Sequence, residues 1–313
     1  MQSPTCSLSI MVARTDIPFM MHTIPHLVRT CNFPFKQRML AVDTAPLTGD
    51  KVNRPGTGTM EQLRAYCDQL LSSGVVDTVV DFNYSDDYRQ KVYRQHFGSD
   101  IKPTHNYKGY PILGTIFGIK ELTESDYMLH FDSDMLLHQD PNYSWIEEAI
   151  KLLQKYPEVM FIRPLPGPPT EENSLKQAAK ERDPAGFDRF KTFGSRVYLI
   201  DRKRFDKLLP LPILWRPYKR QFMNWLPTSL QTASNHLTGK GKLDSWEVMV
   251  SQRLQQTNYV RVNMNSPKAW TLHPIERSSE FIQALPQIIQ KIEEGWYPPE
   301  QAGYYDLILK YWL

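Results

Sequence analysis

Tyr127-Met-Leu-His-Phe-Asp132-Ser-Asp134-Met-Leu-Leu137 is the stretch on which the fold turns. The mostly apolar run from Tyr127 to Phe131 reads as a buried strand of a parallel sheet. Two carboxylates follow at once, and then three more apolar residues. Residues two apart in extended backbone point to the same side. Asp132 and Asp134, with Ser133 between them, are therefore expected to leave the carboxyl end of the strand together. Open α/β sheets place their ligands at that end. Converging carboxylates in hydrophobic sequence are costly unless positive charge satisfies them, and a hard divalent cation that brings its own phosphate partner meets that need. The bland alternative is a surface turn with solvated aspartates, which so short a motif does not exclude by itself.

Composition narrows the classes. The 313 residues suffice for one large α/β domain with appendages or for two small domains, and the hydrophobic (41%) and charged (23%) fractions are those of an ordinary folded protein. Lys and Arg number 37 against 34 Asp and Glu, a net charge of +3 that gives no basic stripe, so no nucleic-acid partner is expected. Cys6, Cys31 and Cys67 are odd in number and include no Cys-x-x-Cys pair. This argues against a disulfide framework or zinc site and suits a reducing compartment. No basic segment followed by a long apolar run opens the chain, and no stretch approaches the ~20 apolar residues of a membrane span. A soluble, cytoplasmic protein is the expectation.

Taken in order, residues 7–13 read as a first buried strand, and Arg14-Thr-Asp16 leads into a helical pattern over 18–31 kinked at Pro25. Residues 38–43 read as a second strand ending on Asp43, and 44–58, rich in Pro, Gly and Thr, as a long loop. Met60, Leu63, Leu70 and Leu71 place a helix over 59–73, with Gly74 at its end and a third strand over 75–82. Helices over 87–97 and 109–122 precede the strand that carries the aspartates. Alternation of strand and helix through about 137 predicts a doubly wound, mostly parallel sheet.

The second half is less regular. Ile146, Ala149, Ile150 and Leu153 share one face of a helix over 145–156, and 159–162 is a strand. Pro164-Leu-Pro-Gly-Pro-Pro169 breaks regular structure, and the charged run to 188 reads as exposed. A strand over 196–200 and a short helix over 204–209 follow. Between 201 and 220 seven Lys or Arg face two Asp. With the aromatics of 210–225 this segment reads as an acceptor-binding lid, a weak peripheral membrane contact or a plain surface loop. Asp244 stands as N-cap of a helix over 245–256, a strand covers 259–262, and Trp270-Thr-Leu-His273-Pro reads as a motif on a loop. The tail with Trp296, Tyr297, Tyr304, Tyr305, Tyr311 and Trp312 reads as a C-terminal helix docked on the domain, with homodimerisation through it as the alternative.

The order of these features resembles the GT-A glycosyltransferases, which move a sugar from a nucleotide diphosphate. The shared features are the first strand and polar turn (Ile10-Met-Val-Ala-Arg-Thr-Asp16), the second strand ending in Asp43, the Asp132-Ser-Asp134 motif, Trp246-Glu247 opening a late helix, and His273 in Trp-Thr-Leu-His-Pro. Two positions differ from the family pattern: Trp246-Glu247 stands where inverting members carry Glu-Asp, and Asp43-Thr-Ala-Pro replaces a run of Asp, Gly and Ser. The resemblance implies a single Rossmann-like α/β domain, with a donor-binding half over 1–140 and an acceptor-binding half with C-terminal helices over 141–313. It implies a metal-dependent transfer to a carbohydrate, lipid-linked or small-molecule acceptor, of the inverting type.

Carried over residue by residue, Asp134 would ligate Mn²⁺ or Mg²⁺, and Asp132 would bind the ribose or reach the metal through water. His273 would add a nitrogen ligand, which favours Mn²⁺. Ala13, Arg14, Asp16, Asp43 and Ser133 would line the nucleotide, which is UDP or GDP. Glu247 would be the general base; Asp244 is its rival, although a capping role already occupies it. If configuration is retained, Glu247 would instead bind hydroxyls. Two other readings stand beside this one. A sugar-phosphate nucleotidyltransferase would carry a glycine-rich basic loop after the first strand, and Arg14-Thr-Asp-Ile-Pro has no glycine. A non-catalytic binding or scaffold module would keep the fold without turnover.

Overall fold

The computed structural model describes residues 4–122, 124–170, 182–183, 186–218 and 221–313. Its strands are β1 (Cys6–Val12), β2 (Arg38–Val42), β3 (Thr78–Asp81), β4 (Tyr127–Asp132), β5 (Leu136–Gln139), β6 (Val159–Arg163), β7 (Leu165–Pro166), β8 (Arg182–Asp183), β9 (Phe187–Phe190), β10 (Val197–Asp201), β11 (Val260–Met264), β12 (Ala269–Pro274) and β13 (Asp306–Leu307). Its α-helices are α1 (Met20–Cys31), α2 (Met60–Ser72), α3 (Asp86–Phe97), α4 (Leu113–Glu121), α5 (Trp145–Lys155), α6 (Arg202–Phe205), α7 (Thr228–Thr238), α8 (Trp246–Gln255) and α9 (Ser279–Glu293).

The main sheet runs β3-β2-β1-β4-β10-β6-β11-β9-β8. Its first four strands are parallel, in the register Leu8–Arg38, Cys6–Tyr127 and Met39–Thr78. β10 then enters antiparallel to both β4 and β6. Successive residues of each strand serve opposite layers. Leu8 and Ile10 of β1 and Leu129 and Phe131 of β4 pack with α1, α2 and α5, whereas Met39, Ala41 and Met128 pack with α3, α4 and α8. Both layers being apolar, the strands read as continuous hydrophobic runs, as expected for a covered parallel sheet. Helix α4 approaches closely because it carries glycine where it meets the sheet. A Cβ on Gly118 would lie 2.9 Å from Ser9 Oγ, and one on Gly114 would lie 2.2 Å from the Phe82 ring.

A smaller sheet, β13-β12-β5 with β7 alongside β12, stands at the carboxyl end of β4. Helix α9 covers it through Phe281, Leu285, Ile288 and Ile292, which recur at helical spacing beside Leu136, Trp270 and Leu272.

Several sequence expectations are corrected here. Ser245, not Asp244, is the N-cap of α8, its hydroxyl accepting from Val248 N at 3.3 Å; adjacent Asp and Ser are both capping types, and the backbone chose the second. Trp270 to Pro274 is no loop but lies within β12, made a strand by its antiparallel partner β5. The aromatic tail is not a helix. The helix is α9, and after Gly295 the chain proceeds through 3₁₀ turns at Pro299–Gln301 and Leu309–Tyr311 and the short β13. Most of the charged run before 188, and residues 219–220 of the basic aromatic segment, lie outside the described residues.

Two histidines are sealed inside. His26 accepts from Leu137 N at Nε2 (3.1 Å) and contacts Glu293 Oε1 through Nδ1 (2.7 Å). His96 accepts from Trp246 Nε1 at 3.0 Å. Burial lowers the His26 pKa, although Glu293 opposes it, and pushes His96 down to about 3. Both rings are thus neutral in the folded chain, while the unfolded chain binds their protons near the usual 6.5. Their contribution is full above that value and is lost as pH falls below it toward the depressed folded values. Each such ring costs up to about 1.4 kcal/mol per pH unit. Urea unfolding at pH 7, 6 and 5 is expected to show falling stability, with a shallower slope in His96→Phe. Leu129, fully buried in β4, is expected on replacement by Ala to cost about 2–5 kcal/mol in the same assay at pH 7.

Candidate functional site

Strand β4 ends at Asp132, the chain turns at Ser133 and Asp134, and β5 carries it away. Thr23 of α1 pins that turn, its hydroxyl donating to Ser133 O at 2.5 Å. Asp132 and Asp134 line the same cavity. Asp132 is the wetter of the two, its side chain 34% exposed, with Oδ1 3.2 Å from Nε2 of His130 on the same strand face. Asp134 is 10% exposed. Its Oδ2 meets Arg277 Nη2 and lies 3.9 Å from His273 Nε2, while Oδ1 is buried without a hydrogen-bond partner. A buried acceptor left unserved is expensive, the more so on a carboxylate.

His273 is set by the strand pairing of β12 with β13, which places it opposite Asp306. His273 Nδ1 is 3.2 Å from Asp306 Oδ1, and the hydrogen bond from His273 holds the Asp306 carboxyl below its usual range. With Nδ1 donating, the Nε2 lone pair faces Asp134. A carboxylate behind a histidine in this way is how proteins orient a metal ligand. Among the described residues no three His, Cys, Asp or Glu side chains gather into a complete metal cage. Two donors do converge, Asp134 and His273. Their 3.9 Å separation lies within the span of two metal–ligand bonds of about 2.1 Å each. Mn²⁺ and Mg²⁺ are commonly held by one or two protein ligands, with phosphate and water completing the shell. Oδ2, the oxygen that Arg277 meets, and the oriented Nε2 stand at the spacing of such an ion, and Oδ1 has no partner of its own.

The first turn after β1 forms the adjoining wall, where Ala13, Asp16, Asp43 and Ser133 line a narrower pocket continuous with Asp132 and Asp134. Ala13 N donates to Asp16 Oδ2 at 2.8 Å, closing the turn, and Arg277 Nη1 lies 3.7 Å from Asp16 Oδ1. Burial raises the Asp16 pKa, with Arg277 and Lys51 working against it. Arg14, expected here, does not line the pocket; its carbonyl accepts from Gly58 N at 3.3 Å. Asp43 is engaged by the protein itself. It accepts from Tyr84 Oη (2.7 Å) and Ala45 N (3.1 Å), lies 3.2 Å from His105 Nε2, and has Lys51 Nζ at 3.7 Å. Burial would raise its pKa, but His105, Lys51 and Tyr84 together hold it below the usual carboxylate range. Asp43 thereby ties together the loops around the pocket that it lines.

Across a cavity of about 710 Å³ stands the N-terminal turn of α8. Trp246 points inward to the core and its neighbour Glu247 points to the cavity. Glu247 Oε1 accepts from Ser195 N (2.7 Å) and Ser195 Oγ (3.0 Å), and both bonds fall on that one oxygen. Asp244 also lines the cavity, with Oδ2 3.3 Å from Arg216 Nη1. Freed from the capping role, Asp244 belongs to the wall.

Several cations of the cleft were not singled out by sequence reasoning. Arg277, Arg196, Arg54 and Arg216 all line the large cavity. Arg216 stacks on Tyr107 at 4.6 Å, and Arg54 stacks on Tyr110 at 5.3 Å. Arg196 immediately precedes the antiparallel β10, and its carbonyl accepts from Asp132 N at 2.7 Å. Arg54 sits in the stretch that reads as a plain loop, and Arg277 follows His273 by four residues. Proximity to that histidine was the one available signal.

No protein-family model and no curated protein sequence matches the chain. Among solved structures, the crystal structure of GalNAc-T7 with UDP, GalNAc and Mn²⁺ superposes with a TM-score of 0.50 at 12% identity. The match covers 96% of this chain and 46% of that one, so the chain spans about half the length of that structure. At this identity the likeness is one of architecture, and the fold of the chain is that of a GT-A-type glycosyltransferase.

Proposed function

We propose that the chain is a metal-dependent glycosyltransferase that moves a sugar from a nucleotide diphosphate to an acceptor hydroxyl with inversion at the anomeric carbon. The observation that carries this reading is the buried Asp134 carboxylate with an unserved oxygen beside an oriented His273, in a cleft whose opposite wall presents Glu247. The GT-A fold supports it, and so does a neighbour of that fold crystallised with UDP, GalNAc and Mn²⁺.

Asp134 and His273 would hold a divalent cation, which when bound supplies Lewis-acid stabilisation of the departing diphosphate. The protein's own residues do the rest. Ala13, Asp16 and Ser133 shape the nucleotide pocket, with Asp43 bracing its loops. Asp132, the wetter carboxylate, faces the ribose. Arg196 and Arg54 stand in the cleft where a leaving phosphate gathers negative charge. Glu247 takes the acceptor proton. Ser195 fixes one of its oxygens and so aims the other, which is the positioning a general base requires. Asp244, paired with Arg216, binds the acceptor's other hydroxyls. A carbohydrate, lipid-linked or small-molecule acceptor fits a wall that combines Tyr107 with these polar groups.

Calorimetry with UDP and with GDP, each with and without Mn²⁺, tests the donor site: affinity for one of them is expected to depend on the metal. Asp134→Ala is expected to abolish that metal-dependent binding with its circular dichroism unchanged, and undiminished affinity would remove the metal from this turn. Glu247→Gln is expected to bind donor normally and to lose transfer by about 10²–10⁴-fold. Turnover at the wild-type rate would take Glu247 out of the base role.

A further inference from the structure

We propose that Arg277 is an internal counter-cation that holds Asp134 while the donor is absent and leaves it for the donor's phosphates. Divalent-cation binding and nucleotide binding then depend on each other. The inference rests on the reading of this cleft as a donor site.

The guanidinium is placed for both tasks. Its Nη2 contacts Asp134 Oδ2, the same oxygen that lies 3.9 Å from His273 Nε2. The edge at which a cation would be shared between Asp134 and His273 is thus the edge that Arg277 already holds. Its Nη1 lies 3.7 Å from Asp16 Oδ1 and 3.5 Å from Thr15 O, and the group stacks on Phe19 at 4.6 Å. The arginine therefore bridges the turn after β4 to the turn after β1, across the floor that a diphosphate would cross. It lines both the narrow pocket and the large cavity.

The contact is nevertheless incomplete. Arg277 serves one oxygen of Asp134 and leaves Oδ1 buried without a partner, so the pair is not the fork-on-carboxylate arrangement that makes an arginine bridge strong. The backbone that carries it is a short link. Residues 275–277 lie between β12 and α9, outside both elements, and Ile275 is 60% exposed. An arginine on such a link can swing its side chain without disturbing the strand that carries His273.

The consequence is a linkage. A second cation shared between Asp134 Oδ2 and His273 must displace the first, so metal alone binds weakly. A nucleotide diphosphate offers Arg277 a new anionic partner, which frees Asp134 for the metal. By reciprocity the metal strengthens nucleotide binding by the same factor.

The test is Mn²⁺ binding to the full chain, followed by electron paramagnetic resonance with and without UDP, in wild type, Arg277→Met and Arg277→Lys. Folding of each variant is checked by thermal melting. Wild type is expected to bind Mn²⁺ weakly alone and more tightly with UDP. Arg277→Met is expected to bind Mn²⁺ alone about tenfold more tightly than wild type, with a correspondingly smaller gain from UDP. Arg277→Lys, which keeps the charge without the planar fork, is expected to fall between them, and it carries the test if the Met variant does not fold. Equal affinities for Mn²⁺ alone, with the gain from UDP intact, overturn the counter-cation role and leave the donor site standing. Failure of all three proteins to bind Mn²⁺, with or without UDP, removes the metal site and this proposal together.

Discussion

A carboxylate with a tenth of its side chain left in water must be met by positive charge. Asp134 is that carboxylate, and the cleft around it is arranged to satisfy the requirement. β12 brings His273 to it, the link before α9 brings Arg277, and the turn at Asp16 shares the arginine. None of these groups would need its place if Asp134 faced solvent. The strand that delivers it is buried on both faces, so the turn cannot drift outward without exposing Leu129 and Phe131.

The sheet divides the labour. Its parallel half, β3-β2-β1-β4, sets the carboxyl ends of neighbouring strands side by side, which gathers Ala13, Asp43 and Asp132 from distant sequence. The antiparallel entry of β10 then reverses direction. Ser195 and Arg196, just before its start, therefore lie beside the end of β4, and Ser195 reaches Glu247 on α8. One change of strand direction joins the two walls of the cleft.

What could be read from the sequence follows from which forces are local. Apolar runs flanked by polar turns mark β1, β2 and β4 because a covered parallel strand needs no partner-specific chemistry to be recognisable. Asp132 and Asp134 were legible because they close an apolar run, although Asp134 lies in the turn beyond the strand, and Glu247 because it opens a late helix in an order resembling the GT-A enzymes. Asp306 was not, since it meets His273 across 33 residues and only through the pairing of two short strands. Arg277 was not, because a charged residue in a link carries no periodicity to say what it faces. The choice of Ser245 over Asp244 as cap was undecidable locally, both being good acceptors one residue apart. The strand character of β12 required β5, itself too short to announce.

The wiring of β13 has an architectural meaning. The segment after Gly295 makes a circuit of turns whose backbone Gln301 secures: its Nε2 donates to Tyr304 O and Asp306 O, and its Oε1 accepts from Ile308 N and Trp312 Nε1. Gln301 itself is fully buried. That circuit sets Asp306 against His273, so this stretch acts as a strut for one imidazole of the cleft. Trimming the chain from Pro299 onward would leave the main sheet its strands and helices yet let that ring turn. A segment remote from the main sheet thus finishes the site.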